Sequence, residues 1–173
     1  MKDADQQLYK LFFKNDSSAV KEVVATFRKE LVLFVNSYLH DLNQAEDIIS
    51  DTFVKIIIKK PKLKDKKNFR TYVYKTAKNL TIDYLKHKKR EVNFCENYQA
   101  TFDEDLIETE EKNKLLSAIS ELKKEYRLII YLRYYRDFSI QEISKVIKKN
   151  TKYVYNVLNR AKNQLKIKLK EVE

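Results

Sequence analysis

The chain contains no glycine among its 173 residues and only one proline, Pro61. Average usage would place roughly a dozen glycines in a chain of this length. Backbone motifs that need an unhindered left-handed residue or a close backbone approach are therefore excluded. The phosphate-cradling P-loop, the GxGxxG dinucleotide turn and the GxSxG nucleophile elbow all require glycine. Asn-Gly and Asp-Gly hairpins are equally absent, which disfavours a β-rich fold. Apolar residues make up 43% and charged residues 35% of the chain, a balance that suits a folded helical protein rather than a disordered one.

Other chemistries are excluded by single residues. Cys95 is the sole cysteine, so neither an internal disulfide nor a multi-cysteine zinc site is expected. The two histidines, His40 and His87, match no ligand spacing. No metal and no cofactor are expected. No apolar run approaches the roughly 18 residues that span a membrane, so no membrane insertion is expected. The opening MKDADQQLYKLFF lacks a signal-peptide core. The expected location is a reducing cytoplasm.

The net charge of +11 is unevenly distributed. Residues 1–90 carry 20 basic and 11 acidic residues, and residues 112–173 carry 16 and 6. Between them, residues 91–111 carry 8 acids and no Lys or Arg. Two basic segments flanking an acidic one point to a polyanionic partner such as nucleic acid. Solvated lysine on an ordinary surface explains the charge alone equally well. The acidic stretch reads as a self-repelling linker between two domains.

Apolar periodicity is helical almost throughout. Val20, Val23, Val24, Phe27, Leu31, Phe34, Val35, Tyr38 and Leu39 predict a helix over 18–40. Asn43 with Glu46 offers a capping box for a helix over 43–58, with Ala45, Ile48, Ile49, Thr52, Phe53, Ile56 and Ile57 as its buried stripe. Pro61 ends it. The lysine-rich loop KKPKLKDKK leads into a helix over 68–90 with Phe69, Tyr72, Val73, Thr76, Ala77, Leu80 and Tyr84 inward. Past the linker, Leu115, Leu116 and Ile119 start another helix. Tyr126, Leu128, Ile129, Leu132 and Tyr135 form the inward side of the next. Ser139 with Glu142 opens a short helix through Ile147, and the turn Lys148-Lys149-Asn150 separates it from a long one over 151–169. The fold class is all-α.

Three surfaces carry candidate function. The last two helices form a helix-turn-helix candidate, whose second helix would enter the major groove. With Val154, Val157, Leu158 and Ala161 inward, Lys152, Tyr155, Asn156, Asn159 and Arg160 face outward. Asn pairs bidentately with adenine, and Arg with guanine or phosphate. An ordinary helical hairpin with a polar face is the plainer reading. Lysines beside aromatic rings suit single-stranded nucleic acid. Lys64, Lys66, Lys67, Tyr74, Lys75, Lys78 and Asn79 are the candidates there, with Phe69 and Tyr72 assigned to the core. Asp47, Ser50, Asp51 and Val54 lie opposite the apolar stripe of helix 43–58. Paired carboxylates can do acid–base work, but no histidine, metal cluster or nucleophile accompanies these. A solvated or protein-docking face is expected instead, and the chain is not expected to be an enzyme.

The blocks AEDIISDTF, FRTYVYKTAKNLTIDYL and EIS…VYNVLNRAKNQL resemble, in order and spacing, AEDLVQETF, FRAWLYRIARNLAIDYL and EIA…VKSRLHRARKRL. These are blocks of the sigma-70 family, in its extracytoplasmic-function (ECF) group of bacterial RNA polymerase sigma factors. The resemblance covers about residues 16–90 and 112–169. It implies a helical region 2 domain at 1–90, an acidic linker at 91–111 and a helix-turn-helix region 4 domain at 112–173. Residues 43–58 would dock on the clamp coiled coil of the polymerase, through Asp47, Ser50, Asp51, Phe53 and Val54. Residues 59–90 would melt the minus-ten element and capture its non-template strand, with Lys78, Asn79 and Asp83 at motif positions. Residues 139–169 would read the minus-thirty-five element. Core RNA polymerase and promoter DNA are the implied partners, and an anti-sigma factor is left open. The chain departs from the pattern at Ser50, Tyr72, Lys148, Tyr153 and Tyr155, where the family usually has Gln, Trp, Gly, a small residue and a basic residue. Without the tryptophan, melting would rest on Tyr72, Tyr74 and pockets. A polymerase-independent helix-turn-helix regulator and a helical adaptor that binds no DNA are the alternatives.

Overall fold

The computed structural model describes residues 2–14, 16–39, 41–91 and 110–170. Among them, all regular elements are helical. The chain divides into two compact units, Met1–Glu96 and Asn97–Glu173. The expected acidic linker falls almost wholly outside the described residues.

The N-terminal unit contains α1 (Lys2–Phe12), α2 (Ser17–Leu39), α3 (Leu42–Lys59), a 3-10 turn (Lys66–Asn68) and α4 (Phe69–Glu91). Val23, Phe27, Leu31, Phe34 and Val35 line the buried side of α2, at the spacing that a helix facing one core requires. Phe69 is the hub of an aromatic cluster, 5.6 Å from Phe12, 5.6 Å from Tyr9 and 6.0 Å from Phe27 between ring centroids. Two buried hydroxyls are satisfied within their own helices. Thr52 donates to the Ile48 carbonyl at 2.7 Å and Thr81 to that of Ala77 at 2.8 Å.

Three local details differ from the sequence expectation. Helix α1 was not foreseen: Tyr9 and Phe12, with Phe13 just past its end, are held by the ring cluster, and Leu8 and Leu11 are half-buried beside them. Helix α3 is capped by Asp41 rather than Asn43. Asp41 takes extended backbone angles and its carboxylate accepts the Gln44 amide at 3.1 Å. Ile57, expected in the buried stripe, is exposed, because the stripe of α3 closes at Ile56.

The C-terminal unit contains α5 (Glu110–Ser120), α6 (Lys124–Ile130), α7 (Ile140–Ile147) and α8 (Thr151–Lys170). Arg127 of α6 is buried and donates to the carbonyl of Ser120, an otherwise orphaned acceptor at the end of α5. Burial pushes its guanidinium pKa below the ordinary value. Helix α6 runs into a π turn, Tyr131–Tyr135, closed by the Arg136 amide on the Tyr131 carbonyl at 3.1 Å. This wider turn breaks the α-helical register. Leu132 stays buried while Tyr135, expected inward, is exposed.

The capping box of α7 forms as expected. The Glu142 amide donates to Ser139 Oγ at 3.2 Å and the Ser139 amide to Glu142 Oε2 at 2.8 Å. Asn150 opens α8 by accepting the Tyr153 amide at 2.7 Å. Without glycine, the chain places Lys60, Asp137 and Lys148 in left-handed conformations, at φ of 40°, 52° and 58°. A Cβ there costs about 1–2 kcal/mol. Lys148→Gly is therefore expected to stabilise the C-terminal unit by about 1 kcal/mol, after the larger unfolded-state entropy of glycine is set against the relief. Thermal unfolding followed by circular dichroism checks this.

Candidate nucleic-acid and protein interfaces

On α3, Asp47, Ser50, Asp51 and Val54 are exposed. Asp47, Asp51, Val54 and Ile58 follow i, i+4, i+7, i+11 spacing, so the two carboxylates continue into an apolar strip. Ile58, 75% exposed, and Ile57 belong to this surface and were missed. Periodicity cannot separate an exposed isoleucine from a buried one at the end of a stripe. Neighbouring Glu46 is engaged by Arg28 at 3.0 Å. Phe53 is not on this surface. It is 3% exposed, with its ring 5.9 Å from Phe12 and 6.3 Å from Phe27. It lies beneath the face, in the core of the unit.

The loop after α3 presents Lys62, Lys64 and Lys66 to solvent. The side chain of Lys67 lies outside the described residues. On α4 the expected strand-facing set divides. Lys75 and Asn79 are half-buried, as is Tyr72. Tyr74 is 0% exposed, its ring 4.9 Å from that of Phe34, and Lys78 is also buried. Tyr74 and Lys78, expected to face outward, therefore face the core. Helix α4 packs against α1, α2 and α3 at once, so its buried arc is wider than the single stripe that spacing suggests. Tyr72, expected in the core, retains solvent access that Tyr74 lacks.

On α8, Lys152, Tyr155, Asn156, Asn159 and Arg160 are exposed, while Val154, Val157, Leu158 and Ala161 are buried. One polar face thus carries amide, phenol and guanidinium donors beside the capped start of the helix. Tyr153 is tied down next to it. Its hydroxyl donates to Glu125 Oε1, which raises its pKa. The Lys149 ammonium lies 5.5 Å from its ring centroid. Exposed Tyr134, with Lys162 5.6 Å from its ring centroid, was not anticipated, because the π turn that presents it leaves no signal in apolar spacing.

Among the described residues there is no group of three or more His, Cys, Asp or Glu side chains able to hold a metal. No helix among them is long and apolar enough to cross a membrane.

The sigma-70 region 2 family matches residues 23–91, and the sigma-70 region 4 family matches residues 112–165. The chain belongs to the sigma-70 family. The ECF RNA polymerase sigma factor SigW of Bacillus subtilis (strain 168) is 23% identical over 174 residues, covering 92% of this chain and 93% of SigW. The ECF RNA polymerase sigma factor SigM of the same organism is 24% identical over 152 residues, covering 85% and 93%. The fold is that of the sigma factor RpoE from Bartonella quintana, solved with the anti-sigma factor NepR. The TM-score is 0.69 at 19% identity, over 87% of this chain and 96% of RpoE. CnrH, solved with the cytosolic domain of CnrY, gives a TM-score of 0.65 at 19% identity, over 98% and 99%. This sigma factor is of the ECF group, and its two matched regions fall one in each compact unit. Helix α1 precedes the first matched residue of the sigma factor.

Proposed function

We propose that this sigma factor binds core RNA polymerase and directs it to specific promoters, reading the upstream element as duplex and stabilising the melted minus-ten strand. The observation that carries this reading is the presence of both sigma-70 regions in one chain, in family order. Each region carries an exposed polar face: Asp47, Ser50 and Asp51 on α3, and Asn156, Asn159 and Arg160 on α8. In this reading α3 docks on the polymerase through its carboxylates and the adjoining Val54. Lys64, Lys66, Lys75 and Asn79, with Tyr72, engage the separated strand, so that new contacts offset the cost of unpairing. Lys152, Tyr155, Asn156, Asn159 and Arg160 approach the minus-thirty-five element. Regulation by an anti-sigma factor is part of the proposal, supported by the complex in which RpoE was solved. Bond-making chemistry is left to the polymerase.

Run-off transcription with bacterial core polymerase on fragments of the source genome, with and without this protein, tests the reading. New discrete start sites are expected only with the protein. Tight duplex binding by the protein alone, without transcription, would replace the reading by a stand-alone regulator.

On the mapped promoters, Asn156→Ala and Arg160→Ala are each expected to weaken use of the upstream element about tenfold. One good base contact is worth about 1–3 kcal/mol. Core binding should not change. Equal loss on scrambled upstream sequences would reduce these residues to phosphate contacts.

A further inference from the structure

The lysine-rich loop between α3 and α4 has little structure of its own. It leaves α3 through the left-handed Lys60 and enters the 3-10 turn at Lys66. Its side chains repel one another, with Lys59, Lys60, Lys62, Lys64, Lys66 and Lys67 set against Asp65 alone. Such a segment spreads unless something outside it brings its ends together.

Tyr9 of α1 touches both ends. Its hydroxyl donates to the Pro61 carbonyl at 3.1 Å. The ammonium of Lys66 lies 5.5 Å from the centroid of the same ring. The ring is itself fixed, edge-on to Phe69 at 5.6 Å and tilted on Phe13 at 4.9 Å. One turn before Tyr9, the buried Asp5 reaches Arg70 of α4 at 3.5 Å. Helix α1 is thus anchored to the start of α4 while Tyr9 pins the loop that precedes it.

We infer that Tyr9 is a positioning residue for strand capture: it closes the loop between Pro61 and Lys66 and so presents Lys62 and Lys64 in a fixed arrangement. The inference rests on the proposed strand-capturing role of that loop. Closing the loop beforehand removes an ordering cost that the nucleic acid would otherwise meet on binding. Lys66 contributes by cation–π attraction, which also offsets the crowding of positive charge near Pro61.

The test uses the full chain and two variants. Tyr9→Phe keeps the ring and loses the hydroxyl. Tyr9→Leu keeps apolar bulk and loses the cation–π contact as well. Limited trypsin digestion, read by mass spectrometry, follows cleavage after Lys62 and Lys64 relative to cleavage after Lys152. In parallel, core polymerase carrying each form is titrated with a fluorescent single-stranded 15-mer, the non-template minus-ten sequence of a promoter mapped by run-off transcription. Loss of the hydrogen bond in Tyr9→Phe is expected to speed loop cleavage and weaken oligonucleotide binding about three- to tenfold, and Tyr9→Leu more. In Tyr9→Phe, which keeps the ring in its cluster, core affinity and melting temperature should stay near those of the parent.

Unchanged loop cleavage in both variants would overturn the inference. So would core affinity and melting temperature falling in step with oligonucleotide binding in Tyr9→Phe, since Tyr9 would then be a general packing residue. Failure of the parent complex to bind the oligonucleotide would instead sink the strand-capture reading, and the digestion would still decide whether Tyr9 orders the loop.

Discussion

Replacing both Asp47 and Asp51 by alanine is expected to reduce run-off transcription at least tenfold while leaving the fold intact. Both carboxylates are exposed on α3 and make no ion pair among the described residues. Removing them leaves no buried group unsatisfied, and surface changes of this kind are usually within about 0.5 kcal/mol. The sign can even favour folding. Like charges at i and i+4 repel along a helix by a few tenths of a kcal/mol, so the double variant should melt at the same temperature as the parent or slightly higher. Two carboxylates that repel one another and support nothing inside the protein are better explained by a basic partner. Truncating one side of a desolvated charge pair costs about 2–5 kcal/mol, much of it from the partner charge left buried. Affinity measured directly against core polymerase should fall with transcription, and the loss should shrink as salt screens the pair. Asp47→Asn with Asp51→Asn retains hydrogen-bonding oxygens without the charge. Transcription restored by that pair would assign the role to hydrogen bonds. Full activity in the double alanine variant would move the docking surface elsewhere.

The legibility of this fold divides along physical lines. The absence of glycine and the three/four spacing of Val23, Phe27, Leu31 and Phe34 made a helical fold readable, because the core of a helical unit is written locally in each amphipathic helix. The Ser139–Glu142 box was readable because both partners lie within one turn. The outward set on α8 followed from its complement, the buried Val154, Val157, Leu158 and Ala161. What escaped was set by tertiary neighbours. The apolar residues of helix α1 are crowded into its last turns, and its place depends on Phe69, far along the chain. Asp41 rather than Asn43 caps α3, since either residue can cap and only the backbone angles decide. Exposed Tyr134 and Tyr135 follow from a π turn that periodicity does not record.

Tyr74 separates two roles that sequence alone confuses, and its removal is the second large effect. Replacing it by alanine is expected to destabilise the N-terminal unit by about 3–5 kcal/mol, the range for deleting a buried aromatic ring. The ring is fully buried, and it meets Phe34 edge-on at 4.9 Å. Thermal unfolding should shift down by well over ten degrees, given about 4–8 °C per kcal/mol in a domain of this size. Polymerase binding and strand capture would fail together, because α3 and α4 share that core. Tyr72→Ala is the contrasting case. Tyr72 is half-buried, so its loss should cost less stability and fall more heavily on open-complex formation, read by permanganate reactivity of unpaired thymines. A Tyr74→Ala protein that melts normally yet forms fewer open complexes would mean that the ring turns outward to meet DNA, and the packing of α4 against α2 would then have to rearrange when the promoter opens.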